Sequence, residues 1–196
     1  IRAQMDKPKA TQLPPETIAE LQRLFAKTPE AQRGKLFALE VKKHEPPEYL
    51  EFALQNSGDP SRGRTLFNDA EGVGCVKCHA LRGQGANIGP DLTTIGAQFS
   101  RRQLAESVLF PSQAVREGYQ QIIAETKDDA VLSGLLKAET TEELVLLDPE
   151  GRLHRIAKAQ LKSRRNSALS LMPEGLHETL SLPEFADLVA FLETLK

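Results

Sequence analysis

The chain has 196 residues, 40% of them hydrophobic and 27% charged, which is the composition of a folded protein with enough length for a sizeable core. A formal charge of −2 argues against nucleic acid or an anionic membrane surface as a partner, and 5% aromatic residues argue against a platform for stacking bases. No apolar run reaches the roughly 18 residues that a membrane span requires, so the sequence predicts no transmembrane helix.

Residues 1–56 are predicted to form a short helical segment. Proline in the first turn of a helix costs no hydrogen bond, and three such openings occur, at residues 13–16, 28–30 and 45–48. Apolar residues follow each opening at helical spacing. The segment is either the end of an array of helical repeats or an N-terminal cap on the next domain, and the sequence leaves both interpretations open.

The most specific motif is C-x-x-C-H at residues 75–79, which follows a turn cluster at 56–60 and a predicted helix at 61–70. This motif is the attachment signature of a c-type haem. Two thiols three positions apart can each add to one vinyl group of the same porphyrin, and the next residue then lies under the iron. The motif therefore predicts one covalent haem c on Cys75 and Cys78, with His79 as the proximal iron ligand.

Other chemistries fit this motif less well. A zinc ribbon needs a second pair of ligands, and the chain has only two cysteines. A thioredoxin-like dithiol is expected in a βαβ context and has no need of His79. The glycine-rich run at 83–89 superficially matches a dinucleotide fingerprint, but its spacing is one residue too long and no strand precedes it.

The hydrophobic period changes after a capped helix predicted over residues 100–110. Residues 118–162 contain short runs rich in β-forming residues, separated by turn signals at 127–129 and 148–151. These runs predict four or five strands of a small antiparallel sheet or barrel. We expect a discrete insertion that does not build the haem pocket, because its period differs from that of both flanks.

The last predicted element is a helix that begins at the cap Ser181-Leu182-Pro183-Glu184 and carries one apolar face. Met172 and Pro173 lie ahead of it, and the only other methionine is Met5. Met172 is either a distal iron ligand or a core residue that fills a gap.

The remaining histidines and several arginines are secondary candidates. The sequence favours a solvated side chain for each histidine, although His177 lies close enough to Met172 to compete as the distal ligand. Four arginines are candidates to pair with haem propionates, because guanidinium groups suit carboxylates, and a basic run near 162–165 is a candidate docking patch. For all of these cations a solvated surface position is the competing interpretation. The residues are His44, His154 and His177; Arg82, Arg101, Arg102 and Arg116; and Lys162, Arg164 and Arg165.

Residues 58–111 and 167–196 together resemble a class I cytochrome c. Gly63 and Phe67 match the glycine and aromatic of the family's first helix, Phe191 matches the facing aromatic of its last helix, and Gly89-Pro90 and Met172-Pro173 match its two ligand loops. The resemblance implies a mainly α fold, a hydrogen bond from His79 to the carbonyl of Pro90, and Met172 as the distal iron ligand. It adds a small antiparallel β-sheet or barrel insertion between the two ligands and a short helical segment before them.

The stretch from His79 to Met172 is longer than in compact members of that class. The whole arrangement resembles the haem-binding domain at the C-terminus of large multidomain proteins of planctomycetes and verrucomicrobia. That resemblance implies a cytochrome domain over residues 57–196 with an insertion at 118–162, and residues 1–56 as the tail of a preceding region. The implied location is periplasmic or otherwise extracytoplasmic, because haem c is attached outside the cytoplasm.

The implied function is one-electron transfer by an electron carrier that is not itself an enzyme. Its partner would be a redox protein or a dehydrogenase domain of the same parent chain. Two alternatives remain open at this point. A labile bond to Met172 would suit a small-ligand sensor or a peroxidase-like enzyme, and the β-rich segment could be a binding module beside a secondary haem.

Overall fold

A cluster of helices and a five-stranded sheet make up the part of the chain that the structure describes. The structure, a computed structural model, describes Arg23 and residues 44–196. The predicted helix openings at 13–16 and 28–30 lie outside the described residues. The predicted division into residues 1–56 and 57–196 stays a prediction.

The helices begin where the sequence places capping residues. Ser100 and Ser181 each accept a hydrogen bond from the backbone N–H three residues later, and the side chain at that later position accepts one from the backbone N–H of the cap. Proline occupies the first turn of three helices, where its missing N–H costs nothing. The helices are α1 Pro46–Gln55, α2 Pro60–Asn68, α3 Ile95–Gln98, α4 Arg101–Leu109 and α5 Leu182–Glu193, with 3-10 turns at Cys75–Lys77, Lys158–Gln160 and Leu176–Thr179.

The helical core forms where α2 crosses α5. A side chain at Gly63 would overlap the carbonyl oxygen of Asp187 and come within 2.8 Å of the Cβ of Phe191, so only glycine allows this approach. Phe67 fills the crossing, with its ring centroid 5.5 Å from that of Phe191. Helix α1 joins the same core through Tyr49, whose hydroxyl donates to the carbonyl of Leu180 at 2.7 Å. This is the crossing that the cytochrome resemblance implies.

Arg101 fastens three parts of the helical core together. Its guanidinium donates to the carbonyls of Ala53 at 2.6 Å and Asn56 at 2.7 Å, which lie at the C-terminal end of α1. It also pairs with the carboxylate of Glu193 on α5. Carbonyls at a helix end have no partner within the helix, so this arginine satisfies them. Arg101 is therefore a structural residue, and its donors are directed to the protein rather than to a haem propionate.

The inserted segment folds as a five-stranded antiparallel sheet. A separate two-stranded hairpin follows His79. The strands are β1 Ala80–Leu81 and β2 Gln84–Gly85 in the hairpin, and β3 Gln120–Thr126, β4 Val131–Glu139, β5 Glu143–Leu147, β6 Leu153–Ala157 and β7 Leu161–Ser170 in the sheet. The order of the sheet is β6-β5-β4-β3-β7, so its first four strands form a meander and β7 returns to pair with β3.

The prediction of a mainly α fold is wrong. The structure is mixed, with 36% of the described residues helical and 26% in strands. The five-stranded sheet is too large a share of the described residues for a mainly α fold, and β7 extends it to Ser170, whereas the predicted insertion ended at residue 162. The sequence of β7 is mostly polar and lacks the alternation of a half-buried strand, so pairing with β3 rather than a hydrophobic pattern makes it a strand.

The expectation that the insertion is discrete and does not build the haem pocket stays a prediction, but the sheet shares apolar packing with the loop after His79. One apolar cluster lies within the sheet and is formed by Ile122, Ala124, Leu144, Leu146 and Ile156. A second cluster, which we call the bridging cluster, joins the sheet to the loop after His79. Its buried members are Ile88, Leu135 and Leu147, and Cys78, Ala86, Tyr119 and Leu171 pack against them. The sheet therefore contributes to the apolar cluster in which one of the two attachment cysteines packs.

Candidate haem-attachment site

The C-x-x-C-H motif forms a tight turn that places both cysteines on one short segment. Gly74 has φ 71°, a left-handed conformation that glycine adopts without steric cost, and it directs the chain into the 3-10 turn Cys75–Lys77. The amides of Cys78 and His79 both donate to the carbonyl of Cys75, at 3.1 and 2.9 Å. The two half-buried thiols are free rather than joined in a disulfide.

Both thiols are held in the neutral form. Burial raises the pKa of Cys75 to about 11 and also raises the pKa of Cys78. Thiol redox chemistry uses a cysteine with a lowered pKa, because the thiolate is the reactive form, so the raised pKa values fit a reactive dithiol poorly. In addition, the described residues contain no group of three or more His, Cys, Asp and Glu side chains arranged to hold a metal ion.

His79 is oriented by the loop that follows it. Its Nδ1 lies 2.9 Å from the carbonyl oxygen of Pro90, and since a carbonyl can only accept, Nδ1 carries the proton and Nε2 keeps the lone pair. Burial lowers the pKa of His79, which keeps the ring neutral. A side chain at Gly89 would come within 2.7 Å of that ring, so glycine allows the loop to lie flat against it. The contact with Pro90 is the one that the resemblance implies.

Met172 lies just beyond the end of the sheet and packs against the helical core. Its amide donates to the hydroxyl of Ser170 at 3.1 Å, and its half-buried side chain contacts the same core as Cys75 and Leu92. The fold thus brings the segment of Met172 to the core that supports the attachment turn. Its role as the distal iron ligand stays a prediction.

The structure places the other histidines differently from the solvated positions that the sequence favours. His177 is buried, with 4% of its surface exposed, and its ring lies 5.0 Å from that of Tyr49. Its Nδ1 has no hydrogen-bond partner within the described part of the chain. His44 and His154 are half-buried and contact the carboxylates of Glu48, at 3.2 Å, and Asp148, at 2.7 Å.

The burial of His177 makes stability depend on pH. Desolvation lowers the pKa of His177 in the folded protein, so below about pH 6.5 the unfolded chain binds more protons at this residue than the folded one. We expect the free energy of unfolding to fall as the pH is lowered through this region, and the slope to be shallower in His177→Gln. Urea unfolding of both proteins at pH 7.5 and pH 5 measures the difference. Equal slopes would contradict the assignment to His177.

Most of the secondary cations are engaged within the protein surface. Arg102 lies 3.5 Å from Glu106 one helical turn away, and Lys162 lies 2.7 Å from Glu125. Arg164 pairs with the carboxylate of Glu139. These pairs neutralise much of the basic run that the sequence presents as a docking patch. Arg82, Arg116 and Arg165 are exposed.

Sequence reasoning missed the side chains of the bridging cluster. Leu135 and Leu147 lie on strands far along the chain from Cys78, yet they pack in the same cluster as that cysteine. No local pattern marks them, because each is an ordinary apolar residue in a strand. The only related signal is the turn at 148–151, which identifies the hairpin but not the surface that it contacts.

The residues present fit a covalently attached haem. The group requires a set of donors and space beside them. The chain offers two neutral thiols three positions apart, a histidine with a free Nε2, and a glycine against the ring of that histidine. When bound, the haem supplies an iron that changes oxidation state by one electron. The protein supplies attachment, a fixed ring orientation and an apolar surrounding.

Comparison with known families agrees with this geometry. The family model described as Cytochrome c matches residues 60–147, which include the attachment motif, the Pro90 loop and the first strands of the sheet. The search of curated proteins finds no match. The family match supports a cytochrome c and a haem-based electron carrier in general terms. Among the described helices, none is both long and apolar enough to cross a bilayer.

Proposed function

We propose that this protein is a mono-haem c-type cytochrome that transfers single electrons. Cys75 and Cys78 hold the haem, His79 binds the iron on the proximal side, Pro90 orients His79, and Met172 binds the iron on the distal side. The observation that carries the proposal is the bond between His79 Nδ1 and the carbonyl of Pro90, which fixes the tautomer that an iron ligand needs.

The protein's own groups account for electron transfer without bond-making at the iron. If His79 and Met172 both held the iron, they would leave it no open site for a substrate. A thioether also favours the ferrous state and raises the reduction potential relative to a second histidine. Both properties suit a carrier rather than an enzyme.

The finer assignments follow from the same arrangement. We place the carrier outside the cytoplasm, where haem c is attached, and we propose that it accepts electrons from a redox protein or from a dehydrogenase domain of the same parent chain. The sheet between His79 and Met172 supports the resemblance to the C-terminal haem domains of planctomycetes and verrucomicrobia. We propose membership of that group on this arrangement.

Covalent attachment is the first test. We expect protein produced with a haem c maturation system to exceed the mass of the bare chain by one haem, and the pigment to stay with the polypeptide after acid and organic extraction. Cys78→Ser is expected to weaken attachment because one thioether is lost, while Lys77→Ala inside the same turn leaves it intact, since Lys77 is exposed. Haem that extracts freely from the parent protein would overturn the proposal.

A further inference from the structure

We propose that the five-stranded sheet positions both ligand loops of the haem site, through the bridging cluster. In this view Leu135 and Leu147 are positioning residues for His79 and Met172. The inference rests on the proposed function, because it takes those two residues as the iron ligands.

The sheet covers the loop that follows His79. Leu135 on β4 and Leu147 on β5 are directly opposite each other in the sheet, and only 1% and 8% of their surfaces are exposed. They form one buried cluster with Ile88 of the loop. The turn between β5 and β6 lies over the same side chain, because a side chain at Gly151 would be 3.7 Å from Ile88 Cδ1. The side chain of Ile88 is therefore covered by the sheet, although the tip of the same loop is exposed to solvent.

The loop that contains Ile88 connects the sheet to the proximal histidine, His79. Ile88 is followed by Gly89, which lies against the ring of His79 and whose amide donates to the carbonyl of Cys78 at 2.7 Å. Cys78 itself packs in the bridging cluster. Close-packed interiors pass on small displacements, so a change in volume at Leu135 reaches the loop that holds the imidazole.

The bridging cluster also packs against the segment that leads to Met172. Leu171, the residue before Met172, packs against the bridging cluster. Strand β7 ends at Ser170, which pairs with Gln120 on β3 and whose amide donates to the hydroxyl of Ser112 at 3.2 Å. The backbone that carries Met172 is therefore attached to the sheet on its N-terminal side.

The order of the loop that carries Met172 decides how tightly this residue can bind the iron. Fixing the backbone of each residue costs conformational entropy, and a loop that is already ordered by packing does not pay that cost again when the ligand bond forms. Loosening the bridging cluster should weaken the Met172 bond even though neither ligand has been changed. Loosening another part of the sheet should not.

Two alanine variants separate these outcomes. Leu135→Ala removes a bridging side chain, whereas Leu146→Ala removes a side chain of the same size and equal burial from the cluster within the sheet. Both should lower stability, since each leaves a cavity. Only Leu135→Ala is expected to accelerate CO binding to the ferrous protein, on the order of tenfold, and to speed amide hydrogen exchange at 171–172.

Equal CO-binding rates in the two variants would overturn the inference, as would unchanged amide exchange at 171–172 in Leu135→Ala. If that variant does not fold, Leu135→Val, which removes one methylene, is expected to show a smaller increase in the same two readouts. A parent protein that binds CO as fast as Met172→Ala would instead contradict the proposed function, because the distal position would already be open.

Discussion

Replacing Met172 with alanine is expected to open the sixth coordination position of the iron and to lower the reduction potential. A thioether favours ferrous iron, so its loss should lower the potential by on the order of a hundred millivolts, a fraction of the roughly 0.8 V that axial ligands span. Ferrous iron in the variant should then bind CO readily. Because the side chain is only half-buried, the loss of stability should be modest, about 1–2 kcal/mol.

Optical spectra, CO-binding kinetics and a redox titration measure this result. Leu176→Ala is the matched control, since Leu176 packs against the same core from the following 3-10 turn and is not a candidate ligand. That control should lose some stability and keep the parent spectrum and potential. An unchanged spectrum and potential in Met172→Ala would mean that another residue binds the iron, and His177 would be tested next. Rapid CO binding by the parent protein would favour a sensor or a peroxidase-like enzyme.

Among substitutions that add one methyl group to the helical core, Gly63→Ala is expected to cause the largest loss of stability. Alanine in a helix is intrinsically favoured over glycine by about 1 kcal/mol. Here the added carbon would overlap the carbonyl of Asp187 on the facing helix, whose backbone cannot yield without separating the two helices. The clash should outweigh the propensity gain and leave a net loss of about 3 kcal/mol or more, or roughly 6–12 °C in Tm.

Gly83→Ala provides the comparison. Gly83 has φ 76° and open space around it, so alanine there meets backbone strain of about 1–2 kcal/mol without a clash. Thermal and urea unfolding of the two variants compare the effects directly. A loss in Gly63→Ala no greater than in Gly83→Ala would show that the crossing can relax, and that close approach of α2 and α5 is not a requirement of the fold.

The amino-acid sequence by itself determined the features that depend on neighbouring residues. Five consecutive residues suffice to predict haem attachment, because the spacing of Cys75, Cys78 and His79 is the one that covalent bonding to a single porphyrin would require. The helix starts at Ser100 and Ser181 follow from capping side chains and their partners three residues later. The first four strands of the sheet follow from β-forming runs bounded by turn residues.

Only the tertiary structure decided which surfaces meet. Strand β7 carries no strand pattern and forms because its backbone pairs with β3, which extends the sheet beyond the predicted insertion. The complete five-stranded sheet makes the fold mixed rather than mainly α. His177 resembles a surface residue in sequence but is buried beside Tyr49, because α1 packs there. Leu135 shares a buried cluster with Ile88 of the attachment loop only because the sheet packs onto that loop. Burial and long-range contact depend on the arrangement of whole elements, and a local pattern does not contain that information.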